Sequence, residues 1–245
     1  MLKQTIFTAF FLTLFAVHCF GALEISEIRI DQTGTDSDEY FELMATSSIA
    51  DLSIYSYLVI GDGSASSGEG VIEVALTLPS VSVNAGDFFV VAESSFTLMP
   101  SGTFHVATLN FENADQVTHL LVEGFTGANG NDLDSNDDGS LESTPWSSII
   151  DGVALLPNGD TALHADDLGV EAIDGAASAG HIFRDGLGVW QLGNINLADA
   201  TDTPGVANVS AVPEPSAFWL LGLVGTLVSG KHLLGRYKRF SSLTK

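Results

Sequence analysis

Short segments in which apolar and polar side chains alternate run through residues 22–211, and they constrain the fold more than any other feature. In residues 72–78 the apolar side chains fall on every second position, and Pro79 follows them. A period of two places one face of a strand in a core and leaves the other outside it. No long segment with a 3.6-residue period lies between residues 22 and 211. The expected fold class is therefore all-β.

Seven to nine short strands are predicted, with clusters of Gly, Ser, Asn and Asp between them. The segment 54–60 has apolar residues on both faces and is predicted to be buried on both sides. In the first strand the alternation changes parity at Ser26 and Glu27, which predicts a β-bulge. This number of short strands with polar turns is typical of a β-sandwich. The predicted strands are 23–30, 41–43, 54–60, 72–78, 88–92, 120–122, 149–155 and 181–183.

The first 21 residues have the pattern of a secretory signal peptide, with Lys3 ahead of an almost unbroken apolar run over residues 6–20. The small residue Gly21 predicts cleavage after position 21, and Ala22 is the next candidate. An uncleaved N-terminal anchor is the other interpretation. The single cysteine, Cys19, lies inside this segment. The mature chain is therefore expected to have neither a disulfide nor thiol chemistry.

A second apolar run, residues 217–234, follows two prolines near the C-terminus. Its 18 residues would span about 27 Å as a helix, close to the ~30 Å hydrocarbon core of a bilayer. We predict a membrane-spanning helix here, and a buried helix of a soluble domain is the alternative. By the positive-inside rule the basic flank marks residues 235–245 as a cytoplasmic tail. That flank consists of Lys231, Arg236, Lys238 and Arg239.

The order of a Pro-Glu-Pro motif, a short apolar helix and a basic cluster resembles the PEP-CTERM sorting signal of Gram-negative bacteria. The motif lies in a linker, residues 209–216, and the run 217–228 and the basic residues 236–239 complete the match. The resemblance implies handling by an exosortase-type membrane enzyme and delivery to the cell surface or the exopolysaccharide matrix. The tail would then be a substrate for processing. The sorting motif itself is Val212, Pro213, Glu214 and Pro215.

Charge is divided unevenly along the chain. Residues 22–211 contain 30 acidic residues and only two basic ones, Arg29 and Arg184, which gives a net charge of −28. Nucleic acid is excluded as a partner, because almost nothing here could neutralise phosphates. A charge of this size repels itself unless cations screen or bind it. The composition therefore predicts dependence on divalent cations, with solubility alone as the other interpretation.

The segments at the two ends of the exported part resemble those of a lamin-tail domain. They are residues 25–30 (ISEIRI) with 38–43 (DEYFEL) at the start, and 203–208 (TPGVAN) at the end. That domain is an immunoglobulin-like β-sandwich, so the resemblance implies this fold over residues 22–208. Relative to a minimal version of the domain, residues 93–146 look like an insertion. The resemblance implies a non-catalytic interaction role and brings no catalytic residues.

The strongest chemical motif is D-x-N-x-D-G, from Asp134 to Gly139. In an EF-hand loop, oxygens at positions 1, 3, 5, 7 and 9 face calcium and glycine at position 6 allows the turn. Position 12 is Pro145 rather than glutamate, and no flanking helices are predicted, so this is not an EF-hand. Asp132 or Asp151 could supply the missing ligand, and a solvated acidic turn is the other interpretation. The predicted calcium ligands are Asp132, Asp134, Asn136, Asp138, Ser140 and Glu142.

Other polar side chains give weaker signals. The acidic run at positions 31–39 and His164 with its two following aspartates are candidate cation sites, but solvated loops are the simpler interpretation. His119 and His181 are expected to be packed or edge residues, and Trp146 and Trp190 core residues. The acidic run contains Asp31, Asp36, Asp38 and Glu39, and the group at His164 contains Asp166 and Asp167.

Catalytic motifs are missing from the sequence, which has no H-E-x-x-H, no G-x-S-x-G and no phosphate-binding glycine loop. We therefore expect an exported surface or matrix protein without enzymatic activity, which binds polysaccharide or matrix proteins and is stabilised by calcium. The alternative is a secreted metal-dependent hydrolase that acts on an extracellular polymer through the 131–142 loop.

Overall fold

The computed structural model describes residues 22–62, 69–98, 104–112, 115–157, 164–197 and 201–208, which belong to one compact unit. Nearly all the regular structure in these ranges is β-strand, arranged in two sheets, which confirms the predicted all-β class. The signal segment 1–21, the sorting motif, the predicted membrane helix and the basic tail lie outside the described residues. Within the described ranges, no helix has the length and apolar character needed to cross a membrane.

The first sheet has six strands and is antiparallel except for one parallel pair at its edge. Its strands are β1 (Leu23–Arg29), β2 (Tyr40–Ala45), β5 (Phe88–Ala92), β6 (His105–Val106), β10 (His181–Arg184) and β11 (Trp190–Leu192). Their spatial order is β11-β10-β1-β2-β5-β6, so β1 and β2 lie at the centre.

The second sheet has five strands in the order β4-β3-β7-β8-β9, with β8 and β9 parallel. Its strands are β3 (Tyr55–Gly61), β4 (Val71–Thr77), β7 (Val117–Glu123), β8 (Ser148–Leu156) and β9 (Glu171–Asp174). Three one-turn helices connect strands: a 3₁₀ turn at Leu52–Ile54, α1 (Ala165–Leu168) and α2 (Ala176–Ala179).

The main core lies between the two sheets and depends on the bulge in β1. The pairing register of β1 with β2 shifts between Ile25 and Glu27, which confirms the predicted bulge. Because of the shift, Ile25 and Ile28 both reach the core although they are an odd number of residues apart. The side chains of Glu27 and Arg29 therefore point to the outer face of the first sheet.

Strand β3 is buried on both sides, as predicted. On its inner face Tyr57 stacks on Phe41 of the opposite sheet, with ring centroids 3.6 Å apart. On its outer face Leu58 and Ile60 belong to a second apolar cluster. The other buried members of that cluster are Ile72, Leu120, Val122, Leu133 and Leu168. Leu133 brings the predicted calcium loop onto this face.

The described residues of the segment 93–146, for which the sequence predicts an insertion, contribute to the body of the sandwich. They include β6 and β7, and β7 lies between β3 and β8 in the second sheet. Three strands were not predicted: β6, β9 and β11 have only two to four residues each. A segment this short has no measurable alternation, so it becomes a strand only by pairing with a neighbour.

Candidate functional site

Asp134 is the centre of the acidic loop. Its side chain is fully buried, and its carboxylate accepts hydrogen bonds from the backbone N–H groups of Asp138 (3.2 Å) and Gly139 (2.9 Å). Asp137 and Gly139 have positive φ values of 54° and 85°, which the tight reversal requires. The chain thus wraps around one carboxylate, as expected from the first position of a calcium loop.

Three of the six predicted calcium ligands converge. Carboxylate oxygens of Asp134, Asp138 and Glu142 lie within 4.8 Å of one another. Asp132 and Asn136 instead use side-chain oxygens to accept the N–H groups of Asp134 (3.1 Å) and Asp138 (2.9 Å). Three neighbouring carboxylates repel each other, and a hard divalent cation with oxygen ligands at 2.3–2.6 Å would remove that repulsion. The three carboxylates could therefore hold a metal ion, and calcium remains a prediction.

The loop is fastened to the edge of the second sheet by its backbone. The N–H of Leu133 bonds to the carbonyl of Gly70 at 3.0 Å, and Val71 forms an isolated antiparallel bridge with Asp132. The two ends of the loop are joined by a hydrogen bond, because the carboxylate of Glu142 accepts the N–H of Ser135 at 2.7 Å. These contacts hold the loop that carries the three carboxylates against the edge of the sheet.

His164 also belongs to this site. Its side chain is fully buried, and its Nε2 lies 3.7 Å from an oxygen of Asp134. Among the described residues neither ring nitrogen has a hydrogen-bond partner. Gly70, with φ of 87°, leaves room for the pair, because a Cβ there would lie 2.9 Å from Cβ of Asp134 and 3.2 Å from Nε2 of His164. From sequence His164 was expected in a separate, weaker group, and only the fold brings it to the loop.

Asp151 is engaged elsewhere. Its carboxylate accepts the backbone N–H of Ile25 at 2.7 Å and the guanidinium of Arg184 at 2.9 Å. These bonds join β8 of one sheet to β1 and β10 of the other. They argue against Asp151 as the missing ligand of the calcium loop.

Two side chains of the acidic run at positions 31–39 make buried hydrogen bonds to other segments of the chain. Asp38 accepts both the N–H and the hydroxyl of Thr97, and both oxygens of Glu39 accept the N–H of Phe111 at 3.0 and 3.1 Å. Asp38 and Glu39 are each only 3% exposed. The expectation of a solvated turn is therefore wrong for these two side chains, which bond to protein donors.

A buried polar cluster covers the outer face of the first sheet. Glu27 and Glu42 are paired directly across β1 and β2 and are fully buried. Residues 201–208, hereafter the strap, lie over them: the N–H of Thr203 bonds to Glu27 at 3.0 Å, and that of Gly205 to Glu42 at 2.5 Å. The side-chain amide of Asn208 donates to the carbonyl of Ser26 at 3.1 Å. The motifs at the start (25–30 and 38–43) and at the end (203–208) of the domain therefore contact each other.

Hydrogen bonds hold the carboxylates of this cluster. Arg29, fully buried, forms two hydrogen bonds to the carboxylate of Asp202, at 2.6 and 2.5 Å. Nε2 of His181 lies 2.8 Å from Glu27, and the hydroxyl of Tyr40 donates to Asp202 at 3.1 Å. Glu27, His181 and Asp202 have ligand atoms within 4.8 Å of one another, but protein donors already hold both carboxylates. We interpret this cluster as structural.

Both arginines of residues 22–211 are therefore held inside the domain, Arg29 by Asp202 and Arg184 by Asp151. Another acidic trio, Asp62, Glu73 and Glu112, has oxygens within 4.8 Å of one another. Burial and the charge of Asp62 raise the pKa of Glu112. The excess of carboxylates is thus partly gathered in such groups.

Burial and the neighbouring Glu27 raise the pKa of Glu42 to about 8, although Ser26 and Gly205 donate to it. Because the folded protein then binds this proton more tightly than the unfolded chain, stability should fall as pH rises from about 4.5 to 8. The loss is up to about 1.4 kcal/mol per pH unit for this group. Burial likewise raises the pKa of Glu39 to about 8, whereas burial lowers that of His119 to about 3 and opposes the trend below pH 6.5.

We therefore predict that in chelator the thermal midpoint is lower at pH 8 than at pH 6.5, and that Glu42→Gln reduces the difference. The measurement is a melting curve followed by circular dichroism at several pH values. Glu171→Gln, at an exposed position of β9, should leave the slope unchanged. A midpoint that rises between pH 6.5 and pH 8 would contradict the prediction.

A scan against protein-family models and searches of curated proteins and solved structures found no match to this chain. Its function is therefore inferred from its own residues.

Proposed function

We propose that the chain is an exported cell-surface or matrix protein whose β-sandwich is a non-catalytic binding module stabilised by calcium. In this proposal the N-terminal signal exports it, and the tail carrying Val212, Pro213, Glu214 and Pro215 anchors it temporarily in the membrane. An exosortase-type enzyme then processes the tail and delivers the domain to the exopolysaccharide matrix.

The observation that carries this proposal is that both basic residues of the exported part already have carboxylate partners. Arg29 and Arg184 are both in ion pairs within the domain, while residues 22–211 contain 30 acidic side chains. Since neither arginine pairs with the acidic trio at Asp134, a cation from the medium supplies its counter-charge in this proposal, beside His164. A calcium-rich exterior supplies such cations at millimolar concentration, which suits weak extracellular calcium sites with affinities of about 10⁻⁴–10⁻³ M.

The strap supports assignment to the lamin-tail type of immunoglobulin-like sandwich. The segments behind that resemblance are far apart in sequence, yet Thr203 and Gly205 bond directly to Glu27 and Glu42. Two motifs that lie at opposite ends of the domain sequence and bond to each other in the fold support this assignment. This domain type favours an interaction role over catalysis.

Sorting is tested by replacing Pro213, Glu214 and Pro215 together with alanine. We expect the signal peptide to be removed as usual, since export depends on the N-terminus, whereas the domain should stay in the inner-membrane fraction. Fractionation and immunoblotting with an antibody against the sandwich measure both outcomes. Alanines at positions 241–243 are the matched control. Normal surface delivery of the Pro-Glu-Pro variant would refute the sorting role.

A further inference from the structure

A half-open groove lies on the outer face of the first sheet, beside the strap. Its volume is about 290 Å³, near the lower end of the ~300–1,000 Å³ that is usual for ligand pockets. This space suits one small ring or side chain rather than a large cofactor. We call it the Glu24 groove, and its main lining residues are Glu24, Met44, Phe88, Arg184, Leu187 and Ala207.

The floor of the groove is a row of side chains fixed by strand pairing. Glu24 of β1 pairs with Met44 of β2, and Met44 pairs with Phe88 of β5. Directly paired residues point to the same face of a sheet, so an acidic and two apolar side chains lie in line. Leu187, at the tip of the β10–β11 hairpin, lines one side and is 83% exposed. Such an exposed leucine beside an apolar floor indicates a contact surface.

The polar end of the row has an unused acceptor. Glu24 is only 6% exposed, and its Oε2 has no hydrogen-bond partner among the described residues. Arg184 does not supply one, because its donors go to Ile25, Gly188 and Asp151. A buried carboxylate oxygen without a partner is unfavourable, and a ligand that brings an O–H donor would satisfy it.

We propose that the Glu24 groove binds one pyranose ring of a neutral polysaccharide. The C–H face of such a ring would pack on Met44, Phe88 and Leu187, and a hydroxyl would donate to Glu24. Acidic polymers are disfavoured, since the domain is strongly negative and Glu24 and Asp185 line the groove. The one arginine of the lining, Arg184, is already paired with Asp151. A peptide fits less well, because the floor presents side chains of paired strands and not a free strand edge.

This inference rests on the proposed function, because polysaccharide meets the domain only outside the cell. The test uses the full chain in a detergent without a sugar head group. The probes are neutral oligomers of glucose, galactose, mannose and N-acetylglucosamine, with alginate and hyaluronan as acidic arms and an uncharged peptide of glycine, serine and leucine as a peptide arm. We expect at least one neutral oligomer to bind and the acidic arms not to bind.

Two variants locate the binding. Leu187→Asp should weaken it at least about tenfold, since the apolar contact is lost and a charge is added. Glu24→Ala should also weaken it about tenfold, by removing the acceptor. Val106→Asp is the matched control, because Val106 is 54% exposed at the opposite edge of the same sheet, and it should bind like the original chain.

The proposal is overturned if no neutral oligomer binds the folded chain, if an acidic polymer or the uncharged peptide binds better, or if Leu187→Asp binds unchanged. The proposed function is judged separately, by cell fractionation of the unaltered chain. If that chain reaches the surface normally but binds no neutral oligomer, the groove is rejected and the surface role stays intact.

Discussion

Replacing Asp202 by alanine is expected to destabilise the sandwich by about 3–5 kcal/mol, the usual cost of leaving one partner of a buried ion pair alone. Arg29 is fully buried, and Asp202 is the carboxylate that holds its guanidinium. The carbonyls of Asp31 and Asn194 accept its other hydrogen bonds but carry no net charge. Urea unfolding of the full chain, followed by circular dichroism, measures the loss.

Further variants separate the effect of the lost charge from the effect of disturbing the strap. Asp166→Ala removes an exposed aspartate and should change the free energy of unfolding by less than about 0.5 kcal/mol. The double variant Arg29→Met with Asp202→Leu removes both charges and should recover most of the loss if the uncompensated cation is the cause. A loss below about 1 kcal/mol for Asp202→Ala would show that the ion pair contributes little.

The sheets could be predicted because burial on one or both faces leaves a periodic pattern in the sequence. The segment around Leu58 is apolar at consecutive positions, which predicts burial on both sides, and the two apolar clusters on its faces confirm this. The bulge was visible for the same reason, since Ile25 and Ile28 break the alternation. The edge strands could not be predicted from the pattern. β11, for example, spans only Trp190–Leu192 and is a strand only because it pairs with β10.

The polar interior could be predicted only in part. Glu27 and Glu42 occupy outward positions of strands, which normally indicates solvent, and only the strap makes those positions buried. Since the strap is more than 150 residues away in sequence from both, no local pattern reports the contact. The resemblance to lamin-tail motifs identified both segments without indicating that they bond to each other.

The predicted calcium loop shows the same limit on a smaller scale. Spacing predicted six oxygen ligands around the turn, and it did not indicate that the carboxylates of Asp134, Asp138 and Glu142 lie together while Asp132 accepts a backbone N–H. It could not identify His164, which approaches Asp134 from beyond β8, or show that Asp38 and Glu39 bond to protein donors. Those facts depend on how distant segments pack.

Calcium at about 100 times its dissociation constant is expected to stabilise the full chain by about 2.7 kcal/mol. For a domain of this size each kcal/mol shifts the thermal midpoint by about 2–4 °C, so the rise should be roughly 5–10 °C. The physical reason is the removal of repulsion among Asp134, Asp138 and Glu142. Melting curves measure it, in chelator and in about 10–100 mM calcium, which is about 100 times a dissociation constant of 10⁻⁴–10⁻³ M, at constant ionic strength.

Variants distinguish a bound ion from general screening of a highly acidic surface. Asp138→Asn with Glu142→Gln keeps the size and the hydrogen-bond acceptors of both side chains but removes two charges, so the calcium-induced rise should largely disappear. The midpoint in chelator should itself increase, because the repulsion is relieved without an ion. Asp137→Asn is the matched control, since Asp137 is a neighbouring exposed residue outside the convergent trio. An equal rise in all three proteins, or an equal rise with sodium, would mean that calcium only screens the surface and that the loop is a solvated turn.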